Sequence, residues 1–337
     1  MGPHPAVAAV RLAVRQALAR QPADRLAHVA CSGGADSVAL AAGLAFEARA
    51  ARRPAGLVTV DHGLQPDSAD QAAAVAELGR RLGLDPVLTL PVRVDGPGGP
   101  EAAARAARYA ALRPLTEDGL VLLGHTADDQ AETVLLGLGR GSGIRSIAGM
   151  RPVDGGYLRP LLGLRRADTE AACAAQDLPV WQDPHNTDPR FRRVRLRTEV
   201  LPLLEDVLAG GVTEALARTA AQLQDDEDAL RLLADRVLAE AYRPDGLLLT
   251  AFEDQPVALT SRVVKRWAEQ GGAGPLTAEH VRQLVRLVTD WHGQRGADLP
   301  GGYRACRASG RLVLDRAVPL SQPDGRADGA RVDAEPT

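Results

Sequence analysis

Lysine is nearly absent from this chain: Lys265 is the only one among 40 basic residues, and all the others are arginine. Beside so much alanine, that bias reflects genome composition more than function. Cysteine is also scarce. Cys31, Cys173 and Cys306 form no CxxC pair and no metal-type cluster, which argues against a disulfide framework or an iron–sulfur site and suits a reducing cytoplasm. No stretch approaches the roughly 20 apolar residues of a membrane span. Arg11 and Arg15 interrupt the apolar N-terminus, so no secretory signal is read. The expectation is a soluble, cytoplasmic protein with no membrane partner. A global charge excess is missing too, since the net charge is −3. Its distribution is uneven: −2 over residues 1–139, +4 over 140–200 and −5 over 201–337. The positive charge is local, as an electrostatic footprint for nucleic acid requires.

At 337 residues the chain is too long for one small core, so two or more domains are expected. After an amphipathic helix at 6–20, apolar runs at 26–31, 57–61, 86–90 and 119–124 read as strands. Helical patterns at 37–51, 67–83, 101–116 and 127–139 follow them. This alternation predicts an α/β fold with a parallel sheet covered on both faces. In such sheets ligands gather beyond the carboxyl ends of the strands. The polar segments Ser32 to Ser37, Asp61-His62 and His125 to Glu132 all lie just after strands and should converge on one rim. Another helix is read at 164–177 and an arginine-rich connection at 178–198. From about 199 the pattern is mainly helical, with stretches at 213–241, 257–270 and 277–290, and Gly-punctuated short strands at 297–315. Residues 319–337 are polar and rich in Pro, Gly and Asp, the composition of a disordered tail.

"HVACSGGADSVAL" (28–40) leaves a strand through two glycines and enters a helix at once. At that junction unsatisfied N–H groups and the helix dipole favour an anion. Glycine allows a phosphate to approach the backbone closely. Ser32 and Ser37 can donate hydroxyl hydrogen bonds, with Gly33, Gly34 and Ala35 between them. Asp36 would repel a bare phosphate, so its presence makes sense with Mg²⁺ between carboxylate and phosphate. No GxxxxGK[ST] occurs, which sets the loop apart from the usual triphosphatase loop.

SGGxDS after a first strand resembles the loop of the ATP-pyrophosphatase (PP-loop) superfamily, whose members cleave ATP between the α and β phosphates. Further segments follow in order: "TVDHGLQPDS" (59–68), "EAAARAARYAAL" (101–112), "LLGHTADDQAETVLLGLGRGSGIRSIAGMRP" (122–152), "RPLLGLRRADTEAAC" (159–173) and "LPVWQDPHNTDPRFRRVRLRTEVLPLL" (178–204). Together these resemble the tRNA(Ile)-lysidine synthetase family over roughly residues 25–205. The C-terminal half is similar only loosely. Two positions depart from the family pattern: His185 stands where "DPSN" has serine, and Val194 replaces the asparagine of "RNxxR". Both fall in the connection expected to face tRNA.

The resemblance implies a PP-loop catalytic domain over 1–205, a mainly helical tRNA-binding or accessory region over 206–318, and the tail. It implies a ligase that joins free L-lysine to C2 of the wobble cytidine in CAU-anticodon tRNA(Ile). Cytidine O2 attacks the ATP α-phosphate, and lysine then displaces AMP. ATP and phosphate binding falls to Ser32, Gly33, Gly34, Ala35, Asp36 and Ser37, with Mg²⁺ on Asp36. Asp61 and His62 lie near adenine or ribose, unless the pair merely caps its strand. Lysine recognition falls on Asp129 and Glu132, three apart on one helical face, with Arg197 reaching lysine or phosphate. One of the pair, Glu132 ahead of Asp129, is the expected proton acceptor, since free lysine at pH 7 pays about 4–5 kcal/mol to be neutral. Arg105, Arg108 and Tyr109 are candidates to clamp the target cytidine. The basic loop holding Arg140 and Arg145 is suited to closing on substrate. Arg190, Arg192, Arg193 and Arg195 crowd one connector beside Phe191, suited to the tRNA backbone. The acidic region over 205–240 must act by shape, by scattered arginines or as a homodimer surface.

Three other readings of the same fold stay open on the residues alone. A cytidine 2-thiolase would be expected to use paired cysteines. A non-catalytic nucleotide- or RNA-binding module has no need of Asp36, Asp129 and Glu132 together. A free-metabolite ligase of the NAD- or GMP-synthesising kind leaves the arginine connector unexplained.

Overall fold

The computed structural model describes residues 2–63, 67–95, 99–141, 143–183 and 188–316. The chain separates into two compact units, residues 1–227 and 228–337. His185 and the expected tail from 319 lie outside the described residues. Among those described, no helix is long and apolar enough to cross a membrane.

The first unit opens with α1 (Pro5–Ala19), β1 (Ala27–Ala30), α2 (Ala35–Ala51), β2 (Ala55–Asp61), α3 (Ser68–Leu82) and β3 (Val87–Pro91). It continues with α4 (Pro100–Leu112), α5 (Leu115–Asp118), β4 (Leu120–Leu123), α6 (Ala127–Arg140) and α7 (Ile144–Ile147). The short strands β5 (Val153–Asp154) and β6 (Tyr157–Leu158) then precede α8 (Arg166–Ala174). The sheet order is β3-β2-β1-β4-β6-β5. β1 pairs in parallel with β2 on one side and with β4 on the other. The direction of winding therefore reverses between β1 and β4, and the crevice beyond their carboxyl ends is the expected ligand position. β5 is antiparallel to β6 and extends the sheet by an edge hairpin too short to leave a strand-like run in the sequence.

Side-chain alternation explains the near-continuous apolar strands. Leu120 and Leu122 face a core with Leu57, Leu40, Leu44, Val10, Val14 and Cys173, built from α1, α2, α3 and α8. Val121 and Leu123 face the opposite side with Val58 and Leu112, where α4 packs. The 101–116 pattern divides into α4 and α5, with Pro114 at the break. Gly124, just after β4, lies where a Cβ would come 3.0 Å from the Asp36 carbonyl carbon and the Ser37 nitrogen. Gly124→Ala should therefore push the start of α2 away, at a cost of about 1–3 kcal/mol. A lower Tm together with weaker ATP binding is the expected readout; an unchanged pair would show that the turn yields.

The arginine-rich connection is not all loop. Residues 192–195 form α9, followed by a wide turn (Leu196–Val200) and α10 (Leu201–Val207). Helix α11 (Val212–Ala241) contains the boundary between the units. In the second unit, β7 (Tyr242–Arg243) and β8 (Gly246–Leu248) form a hairpin through Pro244-Asp245, followed by α12 (Val257–Gln270) and α13 (Ala278–Thr289). β9 (Ala297–Leu299), β10 (Tyr303–Ala308) and β11 (Arg311–Arg316) complete an antiparallel sheet of order β7-β8-β11-β10-β9. Leu247, Phe252, Val264, Trp267, Leu284 and Leu312 form its core with the two helices.

Candidate active site

A cavity of about 1030 Å³ lies at the reversal point, lined from the ends of β1, β2 and β4 and from α3, α4, α6 and α8. Ser32, Gly34, Ala35, Asp36, Ser37, Asp61, His62, Arg108, His125, Asp129 and Arg197 all border it. The expected convergence on one rim is present.

The glycine corner is pre-shaped by its serines. Ser37 Oγ donates to the Gly34 carbonyl at 2.9 Å and accepts from the Ser32 N–H at 3.1 Å. Gly33 has φ +92°, a backbone state that disfavours any side chain. The Trp181 N–H donates to the Gly33 carbonyl at 2.9 Å, which satisfies that carbonyl and fixes the corner.

Asp36 sits in the first turn of α2, where one oxygen accepts from the Thr169 hydroxyl and the other from Arg166 Nε at 3.4 Å. Burial, with a smaller contribution from Asp129, holds its carboxyl above the usual carboxylate range despite those donors. Asp129 is in the first turn of α6. Its Oδ2 accepts from both the N–H and the hydroxyl of Thr126, at 2.9 and 3.1 Å. Its Oδ1 accepts from Arg166 at 3.1 Å and lies 3.8 Å from Arg197. Asp129 therefore caps its helix with one oxygen and presents the other to the cavity cations.

Glu132 is placed differently. Its side chain is 0% exposed and accepts from Arg197 at 2.8 Å and from Arg193 at 3.3 Å. It does not line the cavity. Burial raises its carboxyl above the usual range even so. The expectation that Glu132 takes the amine's proton meets a geometric obstacle: both oxygens are committed to guanidinium groups, and Asp129 is the acid that reaches the cavity.

Of the arginine connector, Arg193 and Arg197 turn inward to Glu132. Arg193 is thereby tied to Glu132, with its side chain 30% exposed. Arg190 and Arg195 are exposed and paired with Asp188 and Glu199, and Arg192 is exposed beside them. Val194 is 6% exposed, so this departure from asparagine is an inward apolar contact and not an RNA-facing one. Arg140 is exposed at the end of α6, and Arg145 lies 3.5 Å from Glu227.

Arg108 borders the cavity, while Arg105 and Tyr109 do not. Both guanidinium groups lie over the Tyr109 ring, Arg105 at 4.9 Å and Arg108 at 5.7 Å, and the ring packs edge-on against Tyr157. The Tyr109 ring is half-buried against the core beside Val58 and Leu112, and of its two arginines only Arg108 reaches the cavity. Arg108 Nε, His62 Nδ1 and His125 Nδ1 are buried without a hydrogen-bond partner, and all three residues line this cavity. Buried polar atoms of that kind need a ligand or water. Burial and the nearby Arg108 hold the His62 imidazole below its usual range. His125 is pushed down to about 3, mainly by burial and then by Arg108, Arg159 and Arg105 against the opposing pull of Asp129.

A histidine depressed in the folded state carries a stability contribution that is full above its unfolded pKa of 6.5 and is lost as pH falls toward about 3. His125→Asn should flatten the fall in urea midpoint between those limits. An unaltered slope would show that His125 protonates equally well folded and unfolded.

The segment 159–173 supplies residues to which no role was assigned from sequence. Arg165 pairs with Asp128 at 3.1 Å and with Glu214. Arg166 and Thr169 both reach Asp36. A signal was present: two arginines at the start of a helix oppose its dipole, so acidic partners had to lie nearby. For Mg²⁺, the donors are hard oxygens: the Asp36 carboxylate, with the Ser32 and Ser37 hydroxyls bordering the same cavity. Magnesium commonly takes one or two carboxylates and completes its shell with phosphate and water, so this set fits. Among the described residues no group of three or more His, Cys, Asp or Glu side chains could hold a metal by itself.

A parallel sheet with a glycine corner at its reversal point, an aspartate in the following helix turn and an acidic helix after the neighbouring strand β4 defines a PP-loop protein. Residues 8–204 match the PP-loop domain family, and residues 247–313 match the TilS substrate binding domain family. The solved structure of the U34-tRNA thiolase NcsA from Methanococcus maripaludis, with its [4Fe-4S] cluster, covers 65% of this chain and 80% of its own at TM-score 0.53. At 17% identity that likeness concerns the fold alone. The tRNA(Ile)-lysidine synthase of Thermobifida fusca is 52% identical over 319 residues, 93% of this chain and 98% of that one. The tRNA(Ile)-lysidine synthase of Mycolicibacterium paratuberculosis is 55% identical over 293 residues, 86% and 90% of the two chains. The chain belongs to the tRNA(Ile)-lysidine synthase family.

Proposed function

We propose that this protein is a carbon–nitrogen ligase that uses ATP to join L-lysine to C2 of the wobble cytidine in CAU-anticodon tRNA(Ile), releasing pyrophosphate and AMP. The observation that carries the reading is the meeting of Asp36 and Asp129 at one cavity, close enough for a single guanidinium to touch both. A phosphate-handling centre and an amine-handling centre at that separation suit two consecutive substitutions on one base. The thiolase, the binding module and the metabolite ligase are not favoured, because the curated relatives named above match over most of the chain.

In this reading the corner N–H groups and serines hold the triphosphate, and Asp36 would hold Mg²⁺. When bound, the metal supplies neutralisation of charge on the departing pyrophosphate. Arg108, His62 and His125, with their unpartnered nitrogens, present polar atoms to the bases. Asp129 Oδ1 receives the lysine ammonium and takes its proton as the new C–N bond forms, and AMP leaves with the former cytidine O2. No protein nucleophile is needed. Positioning and charge stabilisation do the work. Residues 1–205 carry the chemistry, 206–318 help to hold the tRNA, and an enzyme of tRNA maturation works in the cytoplasm.

The test is incubation with ATP, lysine and unmodified CAU-anticodon tRNA, followed by mass analysis of the wobble nucleoside. A gain that requires all three is expected; pyrophosphate release without lysine incorporation would reject the reading. Exposed Arg190, Arg192 and Arg195 are assigned to the RNA backbone. Their joint replacement by alanine should weaken tRNA binding and flatten its salt dependence by about 0.7–0.9 in log–log slope per lost phosphate contact. An unchanged slope in Kd against salt would place the backbone contacts elsewhere.

A further inference from the structure

Arg166 is the first residue of α8, and its side chain lies between the two acidic centres. Nε donates to Asp36 Oδ2 at 3.4 Å, and a terminal nitrogen donates to Asp129 Oδ1 at 3.1 Å. Its backbone is pinned where the N–H donates to Asp128 Oδ2 at 2.8 Å. Arg165 next to it is held by Asp128 and Glu214. The main chain is thus fixed, while the guanidinium, 22% exposed, reaches the cavity on a long flexible stem. Nothing at a helix N-terminus favours a cation. The acids alone hold this one there.

Under the reading above, each of those acids awaits a different cation: the metal that accompanies ATP at Asp36, and the lysine ammonium at Asp129. Asp129 has only Oδ1 to offer, because Oδ2 is taken by Thr126. Asp36 is likewise shared between Thr169 and Arg166. An incoming cation must therefore displace one arm of the Arg166 guanidinium. A guanidinium that has lost one of two carboxylates is held less firmly by the other, so the second displacement becomes easier.

We propose that Arg166 is a positioning residue that couples the ATP and lysine sites: a resident cation spanning Asp36 and Asp129, which the substrates displace in concert. Because this rests on the assignment of the two acids to ATP and lysine, it is tested by binding and not by turnover. Coupling between ligands is reciprocal, so the factor by which ATP tightens lysine equals the factor by which lysine tightens ATP.

The experiment is calorimetric titration of lysine into the full-length protein, with and without magnesium and α,β-methylene-ATP, and the reverse titration. It is carried out on the wild type, Arg166→Gln and Arg166→Lys, with melting curves to verify folding. In the wild type, lysine should bind about tenfold more tightly when the nucleotide is present, a coupling of ordinary size. In Arg166→Gln, lysine alone should bind more tightly than it does to the wild type, and the coupling factor should fall close to one. Arg166→Lys should also lose most of the coupling, since a point ammonium cannot bridge two carboxylates as a planar fork does. A coupling factor equal in wild type and Arg166→Gln overturns the proposal while leaving the assigned function standing. Failure of lysine to bind the wild type under either condition overturns both.

Discussion

Asp36→Asn is expected to lower pyrophosphate release from ATP by about 10³-fold or more while leaving the protein folded. The asparagine is nearly isosteric and retains an oxygen for the Thr169 hydroxyl, so the contact between α2 and α8 survives. What disappears is the negative charge in the first turn of α2, placed where phosphate and metal have to meet. Under the proposed function the metal would then lose its protein ligand, and Arg166 loses one of its two anchors. The measurement is single-turnover pyrophosphate release with bound tRNA, alongside a melting curve. Turnover within tenfold of wild type, at unchanged Tm, would show that the metal is held by phosphates alone.

The largest stability effect is expected at Glu132. Its carboxylate is fully buried and offsets both Arg193 and Arg197, while Thr133 beside it also accepts from Arg193. Removing one partner of such a buried arrangement leaves charge uncompensated, so Glu132→Ala should cost about 3 kcal/mol. For a unit of this size that corresponds to a fall in Tm of about 6–12 °C. Glu132→Gln keeps an acceptor for Arg197 Nε and should lose less. In both variants adenylation and lysine transfer should decline together, because Arg197, released from Glu132, borders the cavity that both steps share. A selective loss of lysine transfer in Glu132→Gln, with Tm unchanged, would return the proton-acceptor role to Glu132.

The contrast between Asp129 and Glu132 shows where reading a sequence stops. Both are acids three positions apart in one motif, and helical spacing correctly puts them on neighbouring positions of α6. Which one meets the cavity depends on what packs against the helix. Arg193 and Arg197 come from more than 60 residues away and close over Glu132, while Asp129 stays at the cavity with Arg166 on its Oδ1. The same holds for the connector arginines. As a string they form one basic run, but a turn of α9 sends Arg193 inward and leaves Arg192 and Arg195 outside. For Arg166 the local mark is only partial: two arginines at a helix start call for acidic partners, but not for the particular pair, Asp36 and Asp129, that Arg166 joins.

Local rules were enough for the strand–helix alternation, the glycine corner after β1 and the convergence of polar segments at the carboxyl ends of the strands. Period-two and period-3.6 hydrophobic patterns, along with the backbone freedom of glycine, act over a few residues and can be read from a few residues. The short edge strands, the second unit's hairpin and the pairing of each acid with its arginine were decided only when the chain closed on itself. Those features depend on contacts between distant segments and on the loss of water around charges, and neither leaves a fixed spacing in the sequence.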